Sequence, residues 1–109
     1  MMFDVDDLNG AYWISQNQTK TMLDISGAGV VNRLSFWLEQ RDPTTGLELT
    51  IIIDGVSYIP PSVYSFRGND GTQDILTSFV FTKTLKITCK NKNTNSQYRC
   101  FIAMDYDLF

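Results

Sequence analysis

The chain has 109 residues, of which 43 % are hydrophobic and 13 % aromatic, a composition too apolar for disorder and a length suited to one core rather than two. Nine basic residues against twelve acidic ones give a net charge of −3, and the basic residues are scattered, so the charge footprint of a nucleic-acid binder is missing. No stretch approaches the roughly 20 apolar residues of a membrane helix, and Asp4, Asp6 and Asp7 stand where an export signal needs positive charge, so the expectation is a chain neither exported nor membrane-spanning.

Residues 1–9 mix Met1, Met2, Phe3 and Val5 with acidic side chains and read as a flexible N-terminal docking arm, with Phe3, Asp4 and Val5 as its candidate contacts. Its aspartates do not follow calcium-loop order, because Leu8 occupies the third ligand position. Strands are expected at 11–15 and 21–25, then a glycine turn at Gly27-Ala28-Gly29 and a long strand at 30–39. In that strand Leu34, Phe36 and Leu38 share one side, which leaves Trp37 on the other. The next strand, 47–53, puts Leu47, Leu49, Ile51 and Ile53 on one face. Asp54-Gly55 then predicts a tight type I′ turn into a strand at 56–59, because both central residues of that turn need positive φ. Residues 60–66 are the one segment where a helical turn fits, Pro61 being allowed in a first turn.

Strands at 75–81, 84–90 and 97–107 bring the total to eight. The last two fall symmetrically about the polar loop 91–96, which predicts a hairpin with Cys89 opposite Cys100, Ile87 opposite Ile102 and Leu85 opposite Met104. A disulfide is within reach of that geometry, while a reducing compartment favours two buried thiols, the state expected here. Lys86 and Lys90 share the outward side and read as a solvated face that discourages edge pairing. Together these elements predict an all-β, antiparallel β-sandwich, a single jelly roll of about eight strands spanning residues 1–109.

Candidate chemistry is sparse. The chain has no histidine, which removes the commonest general base and every Ser-His or Cys-His dyad, and two cysteines do not close a structural zinc site. Asp42, Asp54 and Asp70 sit beside Pro, Gly or Asn, where turn formation accounts for them. No catalytic residue, cofactor or metal is therefore expected. Tyr12, Trp13, Trp37, Tyr58 and Tyr64 remain as candidate interface or ligand aromatics, either hot spots of a protein interface or stacking platforms for sugars. Trp37, turned away from the core, is expected to be buried between subunits unless a part of its own chain covers it.

From Leu23 onward the order of features resembles small jelly-roll proteins of tailed bacteriophage virions, of the capsid-decorating, head-fibre, neck or tail accessory type. The residues that carry the likeness are the apolar strand into a glycine turn at 23–29, the long strand 30–39, Leu49-Thr50-Ile51-Ile52-Ile53-Asp54-Gly55, Phe79-Val80-Phe81 followed by Leu85-Lys86-Ile87, and a last strand running through Tyr98 and Tyr106. The resemblance implies a non-enzymatic structural component attached to capsid or tail, assembled in the host cytoplasm. It implies a homo-oligomer around a threefold or other cyclic axis, partnered by itself and by other virion proteins, with no nucleic acid or membrane contact. A carbohydrate-binding or host-attachment module using the exposed aromatics is the other reading, and it leaves a glycan open as partner.

Overall fold

The computed structural model describes residues 2–5, 12–40, 42, 44–59, 73–75 and 78–109, with residues 2–5, 12 and 73–75 described by their backbone alone. Among the described residues ten strands follow in chain order: β1 (Met2–Val5), β2 (Tyr12–Ile14), β3 (Thr19–Ser26), β4 (Gly29–Leu38), β5 (Leu47–Ile53), β6 (Val56–Tyr58), β7 (Gln73–Ile75), β8 (Phe79–Phe81), β9 (Thr84–Asn91) and β10 (Tyr98–Leu108). No helix occurs among the described residues.

All pairings are antiparallel and divide the strands between two sheets. In the first, β10 and β4 are central; β1 and β2 share the outer edge of β10, and β7 and β8 share the outer edge of β4. Six strands thus fill four positions. The second sheet runs β3, β9, β5, β6. The chain changes layer at every step except within β1–β2, β5–β6 and β7–β8, so that the first and last strands meet in one sheet while β3, β9 and β5 meet in the other. That order is the double Greek key of a jelly roll, as the strand pattern predicted.

Alternation decides what the layers bury. Leu34, Phe36 and Leu38 of β4 and Cys100, Ile102, Met104 and Tyr106 of β10 face Leu47, Leu49 and Ile51 of β5 and Leu85, Ile87 and Cys89 of β9. Two bulges adjust the phase. In β3 the register shifts between Thr21 and Leu23, and both Met22 and Leu23 are buried. In β4 the pairing with β10 skips Asn32, so Asn32 and Arg33 are both exposed between buried Val31 and Leu34. Gly29 accommodates a close approach beside this bulge: a Cβ there would stand 2.6 Å from the Asp107 carbonyl and 2.7 Å from the Phe81 ring.

Two polar anchors close the ends of β9. At its start, the Asp54 carboxylate accepts hydrogen bonds from the backbone N–H groups of Thr82 (3.0 Å), Lys83 (2.7 Å) and Thr84 (3.0 Å) and from the Thr82 hydroxyl (3.0 Å). The β5–β6 turn thereby grips the β8–β9 turn. Asp54 and Gly55 have φ of 52° and 88°, the positive values the Asp-Gly turn requires. At the other end Asn91 is fully buried, donating from Nδ2 to the carbonyls of Ile14 (3.0 Å) and Ser96 (2.9 Å) and accepting at Oδ1 from the Asn93 N–H (2.9 Å).

The structure corrects four expectations. Strands β9 and β10 do not form a hairpin: β9 pairs with β3 and β5, β10 with β1, β2 and β4, because the intervening loop crosses from one layer to the other. Alternation specifies a face, and two consecutive strands with inward faces can oppose one another across the core as readily as side by side. The strand expected at 75–81 is two strands, β7 and β8, each paired with a different part of β4. Residues 2–5 of the expected arm form β1, paired from Met2↔Asp105 to Val5↔Ile102 along the edge of β10; residues 6–9 lie outside those described. Lys86 and Lys90 guard no edge, since β9 is flanked on both sides. The helical turn expected within 60–66 falls outside the described residues.

Two measurements test these anchors. Asn91→Leu removes the partner of two carbonyls and one N–H, the Ile14 carbonyl among them buried, and should cost about 2 kcal/mol in urea unfolding. Asp54 is the pH-dependent anchor: hydrogen bonds from the Thr84 N–H, then the Lys83 N–H, lower its pKa from 3.8 to about 2. Its stabilisation is therefore complete above pH 4 and lost as pH falls from about 4 toward 2. Asp54→Asn should be less stable than the natural chain at neutral pH, and the gap should close across that window.

Candidate functional site

Facing positions across β2, β10 and β4 place an aromatic and charged row on the outer side of the first sheet. Trp13 of β2 stands opposite Arg99 of β10, and one step along Phe101 stands opposite Trp37 of β4. These side chains point outward because their neighbours Ile14, Cys100, Ile102, Phe36 and Leu38 fill the interior. Beyond Leu38, Glu39 continues the ladder by donating its N–H to the Arg99 carbonyl at 2.9 Å.

Arg99 organises the row. Its Nη2 donates to Glu39 Oε2 at 2.8 Å and its Nε to the same oxygen at 3.3 Å, while its backbone N–H donates to Glu39 Oε1 at 2.9 Å. The same guanidinium lies over both indoles, 5.1 Å from the Trp13 ring centroid and 5.7 Å from that of Trp37. Trp37 in turn stacks on Phe101, with centroids 5.9 Å apart and planes 24° from parallel. A planar cation between two π-faces, with a carboxylate at its edge, makes a rigid platform that a lysine could not reproduce.

The platform is partly open. Trp13 is 50 % exposed, and Trp37 is partly covered by its neighbours. Farther along the same face the short side chains of Ala103 and Ser35, with Arg33 and Asp105 beyond them, line a shallow hollow of about 270 Å³. The chemistry available is stacking, hydrogen bonding and charge pairing. Among the described residues no three His, Cys, Asp or Glu side chains gather where they could hold a metal ion, and no helix is long and apolar enough to cross a membrane.

Of the aromatics singled out from sequence, Trp13 and Trp37 are brought together, and Tyr12 lies on β2 beside them, opposite Cys100 in the backbone ladder. Tyr58 is on β6 at the edge of the other sheet, 52 % exposed and remote from this row. Tyr64 falls outside the described residues. Phe3, Asp4 and Val5 belong to β1, which runs along the same edge of β10 as β2. Arg99, Glu39 and Phe101 were not anticipated. Their signal was present in the alternation of 97–107, where Arg99 and Phe101 fall on the side away from Cys100 and Ile102, but their stacking partners become known only once β2 and β4 flank β10.

No protein-family model matches the chain, and no curated protein matches it.

Arg99→Met keeps most of the aliphatic stem and removes the planar cation. It should lower stability by about 1 kcal/mol, since the ion pair is partly solvated, and shift the tryptophan emission, because both indoles lose a stacked neighbour. Arg99→Lys should restore neither. Unfolding curves recorded by intrinsic fluorescence and by far-ultraviolet circular dichroism read both effects.

Proposed function

We propose that this protein is a non-enzymatic jelly-roll building block of a bacteriophage virion, assembled in the host cytoplasm and attached to capsid or tail as a homo-oligomer. The observation that supports this reading most directly is the platform of Trp13, Arg99, Trp37 and Phe101, built on the flat outer side of a jelly-roll sheet. Tryptophan and arginine are the residues enriched at the energetic centres of protein interfaces, and these are held by strands rather than by loops, so little ordering entropy is lost when a partner covers them. A neighbouring subunit is the partner that this rigid face suits. Repetition around a closed axis lets a modest contact add up, and the strand β1 along the β10 edge offers a second contact to other virion proteins.

The half-exposed Trp13 also favours a second reading, host attachment through a glycan stacked on the indole, with Arg99 and Glu39 at hand for its hydroxyls.

Light scattering across a concentration series separates the two. A closed oligomer that falls to the monomer mass in Trp13→Asp, with its circular dichroism unchanged, is the expected result. A natural chain that stays monomeric at all concentrations overturns the building-block reading, and quenching of tryptophan emission by an oligosaccharide in that monomer establishes the glycan in its place.

A further inference from the structure

Cys89 and Cys100 take no part in the outer platform. Each is 0 % exposed, and they sit on the central strands of opposite sheets, β9 and β10. Both belong to one core cluster and lie near the same end of it: Cys89 stands two residues before Asn91, which bonds to the Ile14 carbonyl, and Cys100 two residues beyond Tyr98, which stands opposite Ile14. Cys100 Sγ donates to Met22 Sδ at 3.7 Å. Met22 belongs to the bulge of β3, next to the Thr21↔Thr88 pair and two residues from Lys20, which stands opposite Cys89. Three sulfurs therefore lie between the layers, near the end where residues 92–97 carry the chain from one sheet to the other.

We propose that Cys89 and Cys100 form an inter-sheet disulfide when the chain folds in an oxidising medium, and that the closed core then holds the pair in the redox state it had on folding. A bridge between facing layers is a known solution in sandwich domains, where it pins the two sheets through their middle strands. Here both residues already face the same core, so the bond calls for no exchange of strand partners.

The oxidant is a small disulfide of the glutathione class. One cysteine thiolate attacks the donor disulfide, forming a mixed disulfide and releasing the first donor thiolate. The second cysteine thiolate attacks the protein sulfur of that mixed disulfide and expels the other donor thiolate. Two protein thiols lose two electrons and two protons, one S–S bond forms between them, and the donor disulfide becomes two thiols. In the folded chain the first attack is blocked. Neither sulfur is exposed, and the Cys100 side chain together with burial raises the Cys89 pKa well above that of an ordinary thiol, which suppresses the nucleophilic thiolate.

The test refolds reduced, denatured protein in a mixture of reduced and oxidised glutathione, beside reduced native protein held in the same buffer without unfolding. Both samples are then alkylated in denaturant and weighed intact. The refolded monomer should be about two mass units lighter than the reduced chain and take up no alkylating reagent, and its Tm should rise by roughly 10 °C. The native sample should keep both thiols. Refolded monomer that retains two thiols, carries glutathione, or is linked to a second chain overturns the bridge. Native protein that bridges as fast as a solvent-exposed dithiol overturns the locking. Cys89→Ala refolded in the same way should show no rise in Tm, and where that variant does not fold, the mass and thiol count of the natural chain decide alone.

Discussion

Strands β9 and β10 follow one another in the chain but lie at the centres of opposite sheets, and the contact between their facing side chains is the constraint on which the remaining architecture rests. Leu85, Ile87 and Cys89 look inward from one layer, Cys100, Ile102, Met104 and Tyr106 from the other. Burying apolar area is worth about 25 cal/mol per Å², and these residues, Tyr106 apart, are among the most completely buried of those described. Pairing the two strands side by side would put all of these side chains on one surface of one sheet and leave the opposite layer without a centre. Crossing the gap instead gives each sheet a long spine, against which β4 and β5 align and to which the shorter strands add as edges.

The outer platform follows from the same constraint. With one side of β10 committed to the core, its intervening residues Arg99, Phe101 and Ala103 must face outward, in register with Glu39, Trp37 and Ser35. Large aromatic side chains on a solvated sheet face expose apolar area. Here the guanidinium of Arg99 covers part of both indoles, and Glu39 fixes the guanidinium in place. The arrangement lowers the exposure of the aromatics without burying them, and Trp13 stays half exposed. A face built this way is preorganised, because its side chains are already ordered by neighbours within the chain.

Much of this was legible in the residues. The period of two identified the inward faces of β4, β5, β9 and β10, the outward turn of Trp37 followed from Leu34, Phe36 and Leu38, and Asp54-Gly55 announced its turn. What alternation cannot express is which strand lies next to which. Two consecutive amphipathic strands satisfy a hairpin and a layer crossing equally well, and so the β9–β10 relationship was misjudged although Cys89 and Cys100 are both inward-facing. The bulges were hidden for a related reason: Met22 and Leu23 are both apolar, and nothing local tells that both are buried. Asn91 was read as part of a polar loop, yet its amide is satisfied within the core, because three backbone partners converge on it only after folding. Asp54 was assigned to its own turn, whereas its carboxylate is spent on a turn 28 to 30 residues away.

Those two polar residues explain how a sandwich with so many short edge strands stays in register. A sheet buried on one face resists slippage by two residues only weakly, since such a slip preserves the faces and merely shifts the side chains along the core. Asp54 and Asn91 remove that freedom. The first ties the beginning of β9 to the β5–β6 turn through directional bonds to three consecutive N–H groups, and the second ties its end to β2 and to the crossing loop. A slip of β9 in either direction would break both sets of hydrogen bonds. With β9 fixed at both ends, β3 and β5 inherit its register on either side, and the crossing loop delivers β10 in a defined phase to the opposite layer. Hydrophobic burial thus selects the layers, and a small number of satisfied polar contacts selects the alignment that brings Trp13, Arg99 and Trp37 onto one line.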